Sequence, residues 1–397
     1  GTSLGEAGRV VVAPSMAQSP IRVDYGGSIE NAVIVLTGTF ADWRDTYTLR
    51  VVSQDATGFS FIVDEWEYQD DLRTRTETVN WIAVSAGVHE LDDGRIIEAG
   101  TVLADEDSGA VTFSAGFGAT APVVVTSVMS SLDVTAVDSD PINVTSTGFD
   151  ARLQVEEARS SVARGKELVG YIAFGVGGNV QHVSNVTNHG GRASFSGLSD
   201  AVIVGDTQTS RDADTQVLGI YTQSDSSTVI YVAEEQSGSF STIRVPGETV
   251  GIAAFDAGVL TGTRTGNAAY VSQAELDAAA TKTPNETFID IGQTGKISVS
   301  SSNIGNPIRV NFDANVDNPI IALTGTVALG SPPYTLRVVD RDATGFSFMV
   351  EEWEYQTASR LFGSVTVNWV AVAAGTHTLS DGRVVEAGTM LADRESG

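Results

Sequence analysis

The sequence predicts an all-β chain: a tandem string of small antiparallel β-sandwiches of about six strands each, with one short linker helix. Three observations carry that prediction. Residues 55–69, DATGFSFIVDEWEYQ, return at 342–356 as DATGFSFMVEEWEYQ with 13 of 15 positions identical, an internal repeat far beyond chance. The runs inside the repeat are short, β-branched and bounded by turn residues. No helical segments alternate with them, which argues against a parallel sheet. At 397 residues and 41.5 kDa the chain is long enough for roughly three or four domains of ordinary size.

Four units follow from the repeat. The first spans 1–109, the second 110–190, a degenerate third 191–258 and the fourth, a copy of the first, 291–397, with a linker at 259–290. In the first unit strands are expected at 32–36, 47–52, 58–63, 78–84 and 95–98. Asp93-Gly94 between two apolar runs reads as a type I′ hairpin turn, and Asp381-Gly382 repeats it. Thr147-Gly148-Phe149 and Tyr171-Ile172-Ala173 each stand 90 residues after Thr57-Gly58-Phe59 and Trp81-Ile82-Ala83, which defines the second unit. The third keeps Val202-Ile203-Val204, Val229 to Val232 and Gly251-Ile252-Ala253 but no Thr-Gly-Phe. Ser272 and Glu275 form a capping-box pair ahead of an Ala-rich run to Thr281, the expected linker helix. The larger period is three units long, which predicts that three consecutive units pack as a pseudo-trimer, covalent linkage raising their effective concentration. The chain opens on Gly1 and ends at Gly397, the counterpart of Gly109, so a segment of a longer array is expected.

Charge narrows the partners. Lys plus Arg is 23 against 50 for Asp plus Glu, a net charge of −27, which opposes binding to nucleic acid or to an anionic membrane. No 18-residue apolar run is present, so no membrane span is expected. With 0 Cys there are no disulfides, thiol nucleophiles or thiolate metal sites. Only Lys166, Lys282 and Lys296 are lysines, and a surface so weighted to carboxylate suits a bacterial exterior in salty water.

Ala121-Pro122-Val123-Val124-Val125, Asn143 through Phe149 and Tyr171-Ile172-Ala173, with Trp66, Trp81 and their copies Trp353 and Trp369, resemble the H-type lectin domain over about three quarters of the chain. The resemblance implies a six-stranded antiparallel sandwich, trimeric assembly and binding of N-acetylgalactosamine-like sugars near protomer interfaces. Where sugar-binding members carry a His after the fourth-strand Trp, this chain has Glu67 and Glu354, and their Arg position holds Thr46 and Pro333.

The candidate carbohydrate-binding residues are Trp66, Glu67 and Tyr68 with Trp353, Glu354 and Tyr355, because an aromatic pair two apart on a strand shares a face able to stack on a sugar. The same pairs also suit the end of a sandwich core. Asp105, Asp107, Asp92 and Asp93 offer hard oxygen ligands for Ca²⁺ at turns, outside any EF-hand pattern, and equally read as solvated loops. No other cofactor is expected. Nucleophile-elbow, phosphate-loop, zincin and dinucleotide motifs are missing from the sequence, and the polar positions differ between the units, which argues against an enzyme. The expected function is a structural or adhesive segment of an extracellular, cell-surface fibre or matrix, self-associating or packing against neighbouring repeats along a filament. The alternative is a lectin for neutral or amino sugars.

Overall fold

The structure, a computed structural model, describes residues 1–16, 19–40, 46–66, 68–69, 75–107, 109–133, 135–159, 165–211, 214–237, 246–282, 291–300, 303, 305–312, 314–326, 333–352, 365–378 and 384–390. It is nearly all β and divides into two compact units, Gly1–Asn285 and Glu286–Gly397.

The first unit holds three sandwiches. In the first, β1 (Thr2–Val12), β2 (Ile21–Asp24), β3 (Ala32–Gly38), β4 (Thr48–Asp55), β5 (Gly58–Asp64) and β6 (Glu77–Ser85) form two layers ordered β1-β6-β3 and β2-β5-β4. A hairpin of β7 (Gly87–Leu91) and β8 (Ile96–Ala104) follows. β8 is the first strand of the second sandwich, which β9 (Gly109–Thr112), β10 (Val123–Val128), β11 (Val137–Ile142), β12 (Gly148–Val155) and β13 (Glu167–Phe174) complete as β8-β13-β10 and β9-β12-β11. β14 (Val180–Val186), β15 (Gly191–Ser194), β16 (Ala201–Thr207), β17 (Gln216–Gln223), β18 (Ser227–Glu234) and β19 (Glu248–Asp256) repeat the plan as β14-β19-β16 and β15-β18-β17. β20 (Gly258–Gly266) then pairs with β7 on one side and β1 on the other, returning the chain to its start. The helix α1 (Gln273–Lys282) comes next.

The second unit is one sandwich of β21 (Gly292–Val299), β22 (Ile308–Asn311), β23 (Pro319–Gly325), β24 (Tyr334–Asp342), β25 (Gly345–Glu352) and β26 (Val365–Ala373), layered β21-β26-β23 and β22-β25-β24. β27 (Gly375–Thr378) and β28 (Val384–Ala387) form its closing hairpin.

Local chemistry explains why the repeat keeps its wording. In Thr57-Gly58-Phe59, Asp55 accepts from the Thr57 amide at 2.7 Å and hydroxyl at 2.6 Å, closing the turn, and Arg22 grips Asp55 at 2.9 Å. Any side chain on Gly58 would overlap the Val23 carbonyl of the paired strand, and Phe59 is fully buried. Arg309, Asp342 and Thr344 rebuild the same turn in the fourth sandwich. Gly8 lies opposite Trp81 and Gly295 opposite Trp369, where the missing Cβ makes room for the indole. At the helix, the Ser272 amide donates to the Glu275 carboxylate at 2.8 Å while the Glu275 amide donates to the Ser272 hydroxyl oxygen at 3.3 Å, the capping box the sequence predicted.

Three expectations need correction. The boundaries shift, because β8 and β14, placed by sequence in the first and second units, supply the first strands of the second and third sandwiches. The supposed linker begins with a strand: β20 is read as connection in sequence because its partners, β1 and β7, lie far away in the chain. The turn at Asp93-Gly94 is not type I′. Only Gly94 has a positive φ, of 82°, and Leu91 faces Arg95 across a three-residue loop in which the Gly94 amide bonds Leu91, a type I turn followed by a left-handed glycine. Asp381 and Gly382 lie outside the described residues.

Each sandwich has its own interior: Phe59, Phe61 and Trp81 in the first, Val111, Phe149 and Tyr171 in the second, Ile203, Ile230 and Ile252 in the third, and Phe346, Phe348 and Trp369 in the fourth. Within the first unit the three sandwiches close head to tail. The third strand of one meets the fourth strand of another: Thr39 bridges Ile220, Val128 bridges Arg50, and the Thr207 hydroxyl donates to Asp140 at 2.9 Å. First to third, third to second, second to first is a closed ring of heterologous contacts.

Candidate functional site

A polar interior lies where the ring closes. Leu36, Thr126 and Asp206 hold equivalent places on β3, β10 and β16, opposite Trp81, Tyr171 and Gly251. Around them is a cavity of ≈ 40 Å³ lined by Thr37, Tyr47, Thr126, Asp138, Ser139 and Asp206 among others. At about 10–15 Å³ for each water centre, that holds about three waters. Asp206 accepts from the Thr126 amide at 3.0 Å, the Thr126 hydroxyl at 2.8 Å and the Thr207 amide at 2.8 Å. Asp138 and Asp140 are two apart on β11 and so share a face.

Three carboxylates this close cannot all stay ionised. Burial, and for Asp138 and Asp206 the charge of Asp140, push their pKa values well above the usual carboxylate range. Burial pushes Asp140 up to about 6, against hydrogen bonds from Thr207 and Asp206 that favour its charged form. The Asp140 Oδ2 is buried without a hydrogen-bond partner. Among the described residues no group of three or more His, Cys, Asp or Glu side chains has the geometry to hold a metal.

A second polar device occurs once in each of the three sandwiches of the first unit. A Glu opens the sixth strand and accepts from a hydroxyl at the end of the third, and that hydroxyl accepts the next backbone amide: Glu77 with Thr39 at 2.6 Å and Thr78 at 2.8 Å, Glu167 with Ser130 and Leu168, Glu248 with Thr209 and Thr249. Glu167 also takes the Leu132 and Asp133 amides at 3.0 and 2.9 Å and stands 3.6 Å from Arg50 of the first sandwich. Arg50 is 1 % exposed, bonded to Asp64 at 2.8 Å and to the Asp133 and Thr135 carbonyls at 2.7 and 2.5 Å. Buried and fully engaged, this guanidinium is a joint between sandwiches.

The residues singled out by sequence sit elsewhere. Trp66 is 1 % exposed and its Nε1 donates to Thr46 at 3.2 Å, so its ring closes the core of the first sandwich and presents no face to a ligand. Tyr68 is half-buried against the same core, with its hydroxyl pKa raised by burial. Glu67, Trp353, Glu354 and Tyr355 lie outside the described residues. Three of the four Ca²⁺ candidates have their carboxylates engaged with the protein: Asp92 with Thr261 at 2.5 Å and the Gly1 amine at 3.4 Å, Asp93 with Arg95 at 2.7 Å, and Asp105 with the Asp107 amide at 3.1 Å and Lys166 at 3.8 Å. Sequence reasoning passed over Arg50, Asp206 and the three glutamates. The only trace of the clamp was a Glu just before the sixth strand in three of the four units, with Val365 in the fourth.

The chain is similar to Halomucin of Haloquadratum walsbyi (strain DSM 16790 / HBSQ001), 25 % identical over 346 residues. The match takes in 79 % of this chain and spans 4 % of the relative's length. No family model matches the chain, and no solved structure matches it. Among the described residues no helix is long and apolar enough to cross a membrane.

Proposed function

We propose that the chain is a non-enzymatic, structural or adhesive stretch of a long extracellular repeat protein at a cell surface. The observation that carries this reading is where the polar side chains go. Arg50, Thr37, Asn80, Gln208 and Asp206 bond one sandwich to the next. A repeat whose polar interior is used for joints suits a load-bearing array. Similarity to a relative of which the chain spans 4 %, and which bears the name of a mucin, supports the same reading. H-type-lectin-like ancestry is part of the proposal, supported by six strands in two layers of three and by the grouping in threes. The carbohydrate-binding alternative now leans on Tyr68 and on residues outside those described.

Electron microscopy of the native surface material is the test. Filaments or a continuous layer labelled by an antibody to this chain are expected. Label confined to free particles, together with millimolar or tighter binding to neutral or amino sugars on a glycan array, overturns the structural reading in favour of a lectin.

A further inference from the structure

In the first sandwich the outer face of the β1-β6-β3 layer and the adjoining β4 are covered by the second and third sandwiches. Thr37 exchanges hydrogen bonds with Gly205, donating to its carbonyl at 3.2 Å and accepting from its amide at 3.0 Å. Asn80 accepts from the Ile203 amide at 3.1 Å and donates to Gln223 at 2.9 Å. Arg50 enters the carbonyls of Asp133 and Thr135, and Ile82 and Val35 are 0 % exposed.

The fourth sandwich carries the same side chains in the same places. Thr324 stands for Thr37, Arg337 for Arg50, Asn368 for Asn80, Val370 for Ile82 and Ala322 for Val35. Here they face outward. Ala322, Thr324 and Asn368 are exposed, Val370 and Val339 are each 42 % exposed, and the Arg337 side chain is 63 % exposed against 1 % for Arg50. A sheet that alternates apolar side chains toward solvent while keeping the polar residues of a joint is an interface without its occupant.

We infer that this face of the fourth sandwich is a docking surface whose occupant is a pair of sandwiches of the second and third type. The chemistry required of the occupant is defined by the covered copy: a loop offering two backbone carbonyls to the Arg337 guanidinium, and a strand edge offering an amide and a carbonyl to Thr324 and a further amide to Asn368. The inference stands apart from the fibre reading, since such a ring closes as well in a free particle as in a filament.

The test extends the full chain after Gly397 with a second copy of residues 110–266, which continues the repeat at the position equivalent to Gly109, and follows amide hydrogen exchange. Exchange in β23 and β26 is expected to slow by about tenfold or more relative to the unextended chain, approaching that of β3 and β6. Asn368→Asp with Arg337→Gln, which gives up only a surface ion pair to Glu351, should cancel the slowing in the extended chain and leave exchange of β23 and β26 in the unextended chain unchanged. Equal exchange of β23 and β26 in the two chains overturns the inference, as does an appended copy that stays unprotected. Protection that appears in the unextended chain on raising its concentration assigns the face to a second copy and overturns the proposed occupant.

Discussion

Trp66 and Gly8 show how single positions are held. The Trp66 indole is enclosed with its N–H bonded to Thr46, so Trp66→Ala removes a large ring from a packed interior, at a cost of about 3–5 kcal/mol. A fall in the urea midpoint is expected. An unchanged midpoint would mean the ring packs against nothing. Gly8 is needed for a different reason: a Cβ there would lie 2.5 Å from Cζ2 of Trp81. Gly8→Ala should cost about 1–3 kcal/mol by overpacking, whereas Gly27→Ala, with nothing within 4 Å of its Cβ, should be near neutral. The pair is compared by denaturant unfolding, and equal midpoints would contradict the packing. Trp81 was legible as core from its alternating strand. Trp66 was not: Trp-x-Tyr was expected on a strand, where the shared face reads the same whether it meets a core or a ligand, but β5 ends at Asp64 and Trp66 and Tyr68 follow it, with the Gln69 amide donating to the Trp66 carbonyl at 2.9 Å.

At the scale of elements, the strands were legible because a period of two with turn residues at its ends is local information. The ring was less so, since β1, β20 and β7 find one another across more than 160 residues and no local pattern marks a first strand as belonging to the next sandwich. The glutamate clamp is likewise long-range, its two ends 38 residues apart in the first sandwich. It ties the end of the third strand to the start of the sixth, and in the second sandwich it also holds the loop that receives Arg50. Ser130→Ala strips the buried Glu167 of a hydrogen-bond donor and is expected to cost about 1–3 kcal/mol. In the fourth sandwich Val365 replaces the glutamate, and the Thr326 hydroxyl only accepts the Thr366 amide at 2.9 Å. Thr326→Ala should therefore cost less, about 0.5–1.5 kcal/mol. Local opening free energies from hydrogen exchange check both, and a larger loss in the fourth sandwich than in the second would refute the clamp.

For the whole molecule the governing feature is acid concentrated at the joint of a strongly acidic chain. Burial and mutual repulsion hold Asp138, Asp140 and Asp206 protonated to higher pH in the folded state than in the unfolded chain, where an aspartate titrates near about 3.9. The folded protein therefore keeps protons that the unfolded chain has released. Their stabilising contribution is complete below the unfolded value and is lost as pH rises through the folded ones, about 6 for Asp140. Glu98, raised by burial, and Glu157, raised to about 7 by burial beside Asp214 and Glu235, act in the same direction. Arg152 and Glu248 also face Asp140, the first favouring its charge and the second opposing it. His89 works the other way, because burial lowers its pKa and its contribution is lost as pH falls through that depressed value. Asp55, Asp92, Asp93, Asp256, Glu275 and Asp342 are held low by hydrogen bonds and ion pairs and act in the same direction as His89, but they titrate below about pH 4. Between about pH 8 and about pH 5 the five raised carboxyl groups stand against one depressed imidazole, which on a chain of net charge −27 predicts that the unfolding midpoint rises as pH is lowered through that range. Asp206→Asn keeps a donor for Asp140 and removes one titrating group from the joint, so it should flatten that rise. Denaturant unfolding of both proteins across the range is the measurement. A native midpoint that falls on acidification, or a variant with an undiminished slope, would show that the carboxyl groups at the ring junction are ionised in the fold.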